Sequence, residues 1–228
     1  MIAIVVAAGS SKRMGFDKLM ADLAGKPVLA HSLLALERTP RVQKIVLVGR
    51  EDRLEEFRAL GVKYGITKLN DVIPGGSERH LSVWSGIQAG KPSPSDYIAV
   101  HDAARPLVTP EAVEACYQLA SRHGASACAA PIADTLKRVG ADGAVVGSVD
   151  RTNLWAMQTP QIFLASVLLH AYQQILREGE IVTDEVSAVE RLGLAVVLAR
   201  NDEPNFKITV PRDLDVAKLV LGSRVGGQ

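Results

Sequence analysis

Short runs of Val, Ile and Ala recur along the chain, separated by stretches in which apolar residues return every three or four positions. The runs at 2–7, 44–48, 97–100, 125–130 and 194–199 predict strands, and 69–73 is a further apolar run of this kind. They are apolar nearly throughout, as strands covered on both faces must be. The intervening stretches have recognisable helix starts. Pro27 opens a helix over 28–37, and Thr109 with Pro110 precedes one over 111–123. Ser77 begins a helix through Gln88, and Thr183 is expected to cap a helix over 184–192. That alternation predicts an α/β fold: a doubly wound, mostly parallel, Rossmann-like sheet with helices on both faces.

One region breaks the pattern. From Asp134 to Met157 no helical period is visible, and two β-like runs flank Ala141-Asp142-Gly143, a hairpin signal. The expectation is a single domain over 1–228 with a projecting β-hairpin arm at about 134–157. Two strands alone are marginal, so the arm is expected to pack on something, with a second subunit the natural choice.

Composition narrows the class. The 228 residues are 47% apolar and 22% charged, and the formal net charge of +1 gives no global field to attract nucleic acid or an anionic membrane. The apolar stretch at 2–8 is too short for a membrane span and lacks a preceding basic region. Cys116 and Cys128 have no partners at metal spacing and read as buried, reduced thiols of a cytoplasmic protein.

Open α/β sheets bind ligands at the carboxyl ends of their strands, so the residues following each run are the candidates for chemistry. After the first run come Ala8, Gly9, Ser10, Ser11, Lys12 and Arg13, then Lys18. Neither of the common phosphate fingerprints is present: no Ser or Thr follows Lys18, and Ser11 stands where G-x-G-x-x-G needs its second glycine. After 69–73 come Gly75, Gly76, Ser77, Glu78 and Arg79 opening a helix; after 97–100 come His101, Asp102, Ala103, Ala104 and Arg105; later Lys207 follows Asn205-Phe206. Glycine turns with free N–H groups, several cations and one carboxylate suit a polyphosphate and a divalent metal. His101, beside that carboxylate, reads as a structural hydrogen-bonding histidine. No G-x-S-x-G, no Cys/His pair at plausible spacing and no H-E-x-x-H is present. A phosphate nucleophile needs no base, because it is already ionised at neutral pH, so nucleotidyl transfer to a phosphate monoester fits this inventory.

AAGSSKRM with Lys18, then GGSERHLSV, HDAARP, DTLKR, VDRTNLW, TPQIF, TDEVSAVE and NFKIT run in the order found in 2-C-methyl-D-erythritol 4-phosphate cytidylyltransferases. The chain resembles that family along essentially its whole length. The resemblance implies a nucleotidyltransferase-type fold and an enzyme that joins CTP and a polyol phosphate into a CDP-alcohol, releasing pyrophosphate with Mg²⁺. It implies that Arg13 and Lys18 stabilise the pentacoordinate α-phosphate, and that Lys207 bridges both substrates. Ala8, Gly9, Ser10, Gly76, Ser77, Ser82 and Ala103 would hold the nucleotide, with Gly76 and Ser82 at the cytosine ring. Asp102 would be the metal-side carboxylate. Arg105 and Thr183 would contact the methylerythritol phosphate, with Thr135 and Arg151 reaching it from the arm of the neighbouring subunit in a homodimer. Three features depart from the family pattern: Ser11, the short MGFD link between Arg13 and Lys18, and Ser77. Ribitol 5-phosphate as acceptor, and a nucleotide-binding regulatory module without catalysis, are the competing readings.

Overall fold

A computed structural model describes residues 1–9 and 14–225. In chain order the elements are β1 (Ile2–Ala7), a short hairpin of β2 (Asp22–Leu23) and β3 (Lys26–Pro27), α1 (Val28–Arg38), β4 (Lys44–Gly49), α2 (Leu54–Lys63) and β5 (Leu69–Pro74). Then follow α3 (Arg79–Gly90), β6 (Tyr97–Asp102), α4 (Pro110–His123), β7 (Ala125–Pro131), β8 (Leu136–Val139) and β9 (Val145–Val149). The chain continues with β10 (Trp155–Leu164), α5 (Ala165–Glu178), α6 (Glu185–Glu190), β11 (Val197–Arg200) and α7 (Arg212–Val225).

Seven strands form one sheet in the order β11-β7-β10-β6-β1-β4-β5. All pairings are parallel except those of β10, which runs antiparallel to both β6 and β7. The expected mostly parallel, doubly wound sheet is therefore present. Successive residues of β1 serve opposite faces: Ala3, Val5 and Ala7 join a core with Leu29 and Leu33 of α1, Phe57 of α2, Val113 of α4 and Ala217 of α7. Ile4 joins a second core with Val83 and Ile87 of α3, Leu168 and Tyr172 of α5 and Val186 of α6. Burial on both sides explains why these strands lack polar alternation. Strand order reverses between β1 and β6, and the crevice at their carboxyl ends is where such sheets take ligands.

Local chemistry sets the helix ends. Thr109 accepts a hydrogen bond from the Ala112 N–H at 3.2 Å, with Pro110 at the first helical position of α4. On α3, a methyl at Gly86 would collide with the Ile4 side chain, so glycine lets that helix press against β1.

Most boundaries fall within two residues of expectation, β6 running on to Asp102 and α3 to Gly90, and four differences bear on the site or the arm. α3 begins at Arg79, because Glu78 is still extended (φ −118°, ψ 161°). α6 ends at Glu190 and its cap is Asp184, not Thr183; the Asp184 carboxylate accepts from the Ser187 N–H at 3.0 Å and from the Ser187 hydroxyl at 2.6 Å. The predicted strand over 194–199 is shorter at its start, beginning at Val197 after the turn at Gly193 (φ 70°). The arm also ends earlier than residue 157. Trp155, Ala156 and Met157 already pair with β7 in the main sheet, which leaves the antiparallel β8–β9 hairpin as the projection.

Candidate active site

The β1 and β6 ends and the turn after β5 enclose a cavity of about 340 Å³. Ala8 and Gly9 follow β1, Gly76 to Arg79 form the β5–α3 junction with Ser82 in the first turn of α3, Asp102 ends β6 and Ala104 follows it; Lys18 and Lys207 also line it. The glycine turn is packed tightly. A methyl at Gly75 would stand 2.6 Å from Ala8 Cβ and 2.7 Å from Ser82 Oγ. The Ser82 hydroxyl accepts from the Gly76 N–H at 3.1 Å and donates towards the Glu78 carbonyl at 3.1 Å, so its hydrogen bonds are spent on holding this turn.

Charge converges on Asp102. Lys207 Nζ lies 2.9 Å from Oδ2, Arg79 Nη2 3.3 Å from Oδ1 and Arg105 Nε 3.6 Å from Oδ2. Burial alone would push this carboxyl up, but the three cations outweigh it and hold Asp102 well below the usual carboxylate range. Arg79 is itself gripped by the fully buried Glu185, through Nη1–Oε1 at 2.7 Å and Nη2–Oε2 at 3.1 Å, and the Tyr172 hydroxyl donates to Glu185 Oε1 at 3.0 Å. Lys18 Nζ donates to the Ile208 carbonyl at 2.8 Å, which ties the first loop to the segment carrying Lys207.

His101 has no exposed surface. Its Nε2 faces the Arg105 carbonyl at 3.3 Å and so carries the proton; Nδ1 then accepts from the Thr159 hydroxyl at 3.0 Å, while Thr159 Oγ1 accepts from the Asp102 N–H at 3.0 Å. Burial pushes the imidazole down to about 4. It is a neutral strut, as its setting in the sequence suggested.

The profile of the 2-C-methyl-D-erythritol 4-phosphate cytidylyltransferases matches residues 1–223. The chain belongs to this family. It is similar to the cytidylyltransferase of Symbiobacterium thermophilum, at 42% identity over 220 residues covering 96% of this chain and 91% of that one. The Pelotomaculum thermopropionicum cytidylyltransferase is 39% identical, with 98% and 95% covered. Among solved structures, 4-diphosphocytidyl-2C-methyl-D-erythritol synthase from Anaerococcus prevotii superposes with a TM-score of 0.83 at 27% identity, covering 97% of both chains. The chain is thus a nucleotidyltransferase.

Of the expected site residues of this cytidylyltransferase, Ala8, Gly9, Lys18, Gly76, Ser77, Ser82, Asp102 and Lys207 meet at the one cavity. Ser10 and Arg13 lie outside the described residues. Others stand apart from the lining. Ala103 is fully buried, its N–H bonded to Val6 and its carbonyl to the Ser32 hydroxyl; Ala104 faces the cavity instead. Arg105 donates to the carbonyls of Asn205 at 2.8 Å and Met157 at 3.4 Å, fastening the segment that presents Lys207. Thr183 is exposed before α6; Thr135 and Arg151 are exposed on the arm, with Arg151 bonded to the Ala133 carbonyl. The reading of single residues gave Arg79 no role of its own and missed Glu185. Both stood in quoted motifs, but 106 residues separate them and only the fold pairs them.

Among the described residues no three His, Cys, Asp or Glu side chains cluster as a metal cage. Mg²⁺ is commonly held by one or two carboxylates plus substrate phosphate oxygens and water. Asp102, at the cavity edge, fits that partial role.

Proposed function

We propose that the chain joins CTP to 2-C-methyl-D-erythritol 4-phosphate, giving the CDP-alcohol and pyrophosphate. The observation that carries this reading is the meeting, in one cavity, of two backbone turns with Lys18, Asp102 and Lys207. An oxygen of the acceptor phosphate attacks the α-phosphorus of CTP; the new P–O bond forms as the bond to the β-phosphate breaks, and pyrophosphate leaves with the electron pair. The nucleophile is already an anion. That agrees with a site where the imidazole beside Asp102, His101, is buried, neutral and bonded at both nitrogens. Lys18, with Arg13, neutralises the charge that builds on the α-phosphate, and Lys207 lies between the two phosphates. The turn at 75–78 receives the base. Asp102 would hold a Mg²⁺ ion that arrives on the triphosphate, where the ion would neutralise phosphate oxygens.

Homodimerisation through the arm belongs to the same reading, with Thr135 and Arg151 reaching the neighbour's acceptor site, where Arg105 and Thr183 also serve. The setting is cytoplasmic, which suits the buried free thiols Cys116 and Cys128.

Pyrophosphate release from CTP with each alcohol phosphate tests the reading. Turnover with methylerythritol phosphate, and kcat/KM at least tenfold lower with ribitol 5-phosphate and with GTP, is expected. Preference for ribitol 5-phosphate would reassign the acceptor; comparable rates with CTP and GTP would overturn the base assignment; no turnover would leave a binding module.

A further inference from the structure

Glu185 is a fully buried carboxylate that contributes nothing to the cavity wall, yet it is bonded to a residue that does. Both of its oxygens take the guanidinium fork of Arg79, and Oε1 also accepts from the Tyr172 hydroxyl. Tyr172 is itself fixed, buried and stacked on Trp84 with ring centroids 5.9 Å apart and planes 8° from parallel. With Nη1 and Nη2 of Arg79 both on Glu185, Nη2 also reaches Asp102 Oδ1 at 3.3 Å. Lys207 takes the other oxygen. A bidentate Arg–carboxylate pair fixes a plane as well as a distance. The carboxylate facing the substrates is therefore held in orientation by a charge it never touches.

We infer that Glu185 is a positioning residue of the reaction proposed above, acting through Arg79 on Asp102. The inference rests on that reading of the site. A second consequence concerns the balance of charge. Glu185 neutralises Arg79 and keeps it off the phosphates; released from that grip, Arg79 would turn into the cavity and pair with the triphosphate unproductively. Loss of Glu185 should thus weaken catalysis without weakening nucleotide binding, which a merely structural ion pair would not do.

The variants are Glu185→Gln, which puts a donor opposite Arg79 Nη2, Tyr172→Phe, Arg79→Lys and the double Glu185→Gln/Arg79→Lys. Each is assayed well below its own melting temperature, with CTP affinity measured separately by calorimetry. For Glu185→Gln, kcat should fall about tenfold or more while the Kd for CTP stays equal or tightens; Tyr172→Phe should show a smaller loss of the same kind. In the Arg79→Lys background, Glu185→Gln should cost less than about twofold further, because the two act as one unit. Wild-type kcat in Glu185→Gln, with only a lowered Tm, overturns the inference, as does a kcat loss matched by weaker CTP binding. Independent, multiplying losses in the double variant also overturn it. Should Arg79→Lys fail to fold, the kcat–Kd split of Glu185→Gln decides alone. An inactive wild-type protein would instead overturn the underlying reading, and the inference with it.

Discussion

His101 and Lys207 show how neighbouring groups at one strand end divide between holding the site and acting in it. His101 bridges Thr159 and the Arg105 carbonyl from a fully buried position, and its pKa is pushed from 6.5 to about 4. A base whose folded pKa is depressed gives stability above its unfolded pKa, and that stability is lost as pH falls towards the folded value. Wild type should lose about 2 kcal/mol from this group by pH 5 and about 3 near pH 4. His101→Asn should be less stable at pH 7.5 but flatter with pH, which urea unfolding at pH 7.5 and 5 would check. Parallel pH curves for the two proteins would rule out His101 as the source. Lys207 is different: its side chain is 40% exposed and it meets Asp102 at the cavity edge. Lys207→Ala should therefore lower kcat by ~2–4 kcal/mol of barrier, the range for one preorganised charge-stabilising group, with little change in unfolding free energy. If steady-state kinetics showed kcat intact and only the KM for CTP raised, Lys207 would be a ground-state binder.

At the scale of elements, the TPQ and TDE motifs turn out to be one structure. Gln161, on β10, accepts through Oε1 from the N–H groups of Glu185 at 3.1 Å and Val186 at 3.2 Å, and its Nε2 donates to Asp184 Oδ2 at 3.0 Å. The first turn of α6, and with it Glu185, is hung on a strand side chain. Gln161→Ala would leave two buried N–H groups unsatisfied and should cost about 2–4 kcal/mol, read as a fall in Tm. A loss under about 0.5 kcal/mol would mean that water replaces the amide. Strands in the parallel part of the sheet were legible because burial on both faces writes an apolar run into the sequence, and α1 and α4 because Pro27, Thr109 and Pro110 mark their starts. β10 (Trp155–Leu164) was not read as a strand, and its antiparallel course was not legible either: direction is set by the route of the chain around the sheet, and no residue encodes it. The capping of α6 was misread for a related reason. Thr183 and Asp184 are adjacent and both can cap, and the choice was made by Ser187 beneath and Gln161 from a distant strand. Lys18, Asp102 and Lys207, the residues proposed to act, could be read from their places after apolar runs, whereas the Arg79–Glu185 pair needed the tertiary fold.

For the whole molecule, the cavity formed within one chain lacks the arm residues that the proposed reaction assigns to it. The β8–β9 hairpin leaves Val139, Val145 and Val146 exposed at 56%, 64% and 64%. Arg151 sits at the base of this arm, exposed. If it completes the neighbour's site, Lys207→Ala and Arg151→Ala homodimers are both nearly inactive, one through the core of its site and the other through the arm it supplies. Co-refolding the two in equal amounts makes about half the dimers mixed, under random pairing. In a mixed dimer one site combines both lesions, while the other takes its core from the Arg151 variant and its arm from the Lys207 variant, and is fully native. About a quarter of wild-type activity should therefore return. In a cis arrangement every site keeps one lesion whatever its partner, so nothing returns. Recovery near a quarter, with heterodimers verified by mass, supports the exchanged arm; no recovery from the same verified heterodimers would make the hairpin local to its own subunit and assign its valines to some other contact.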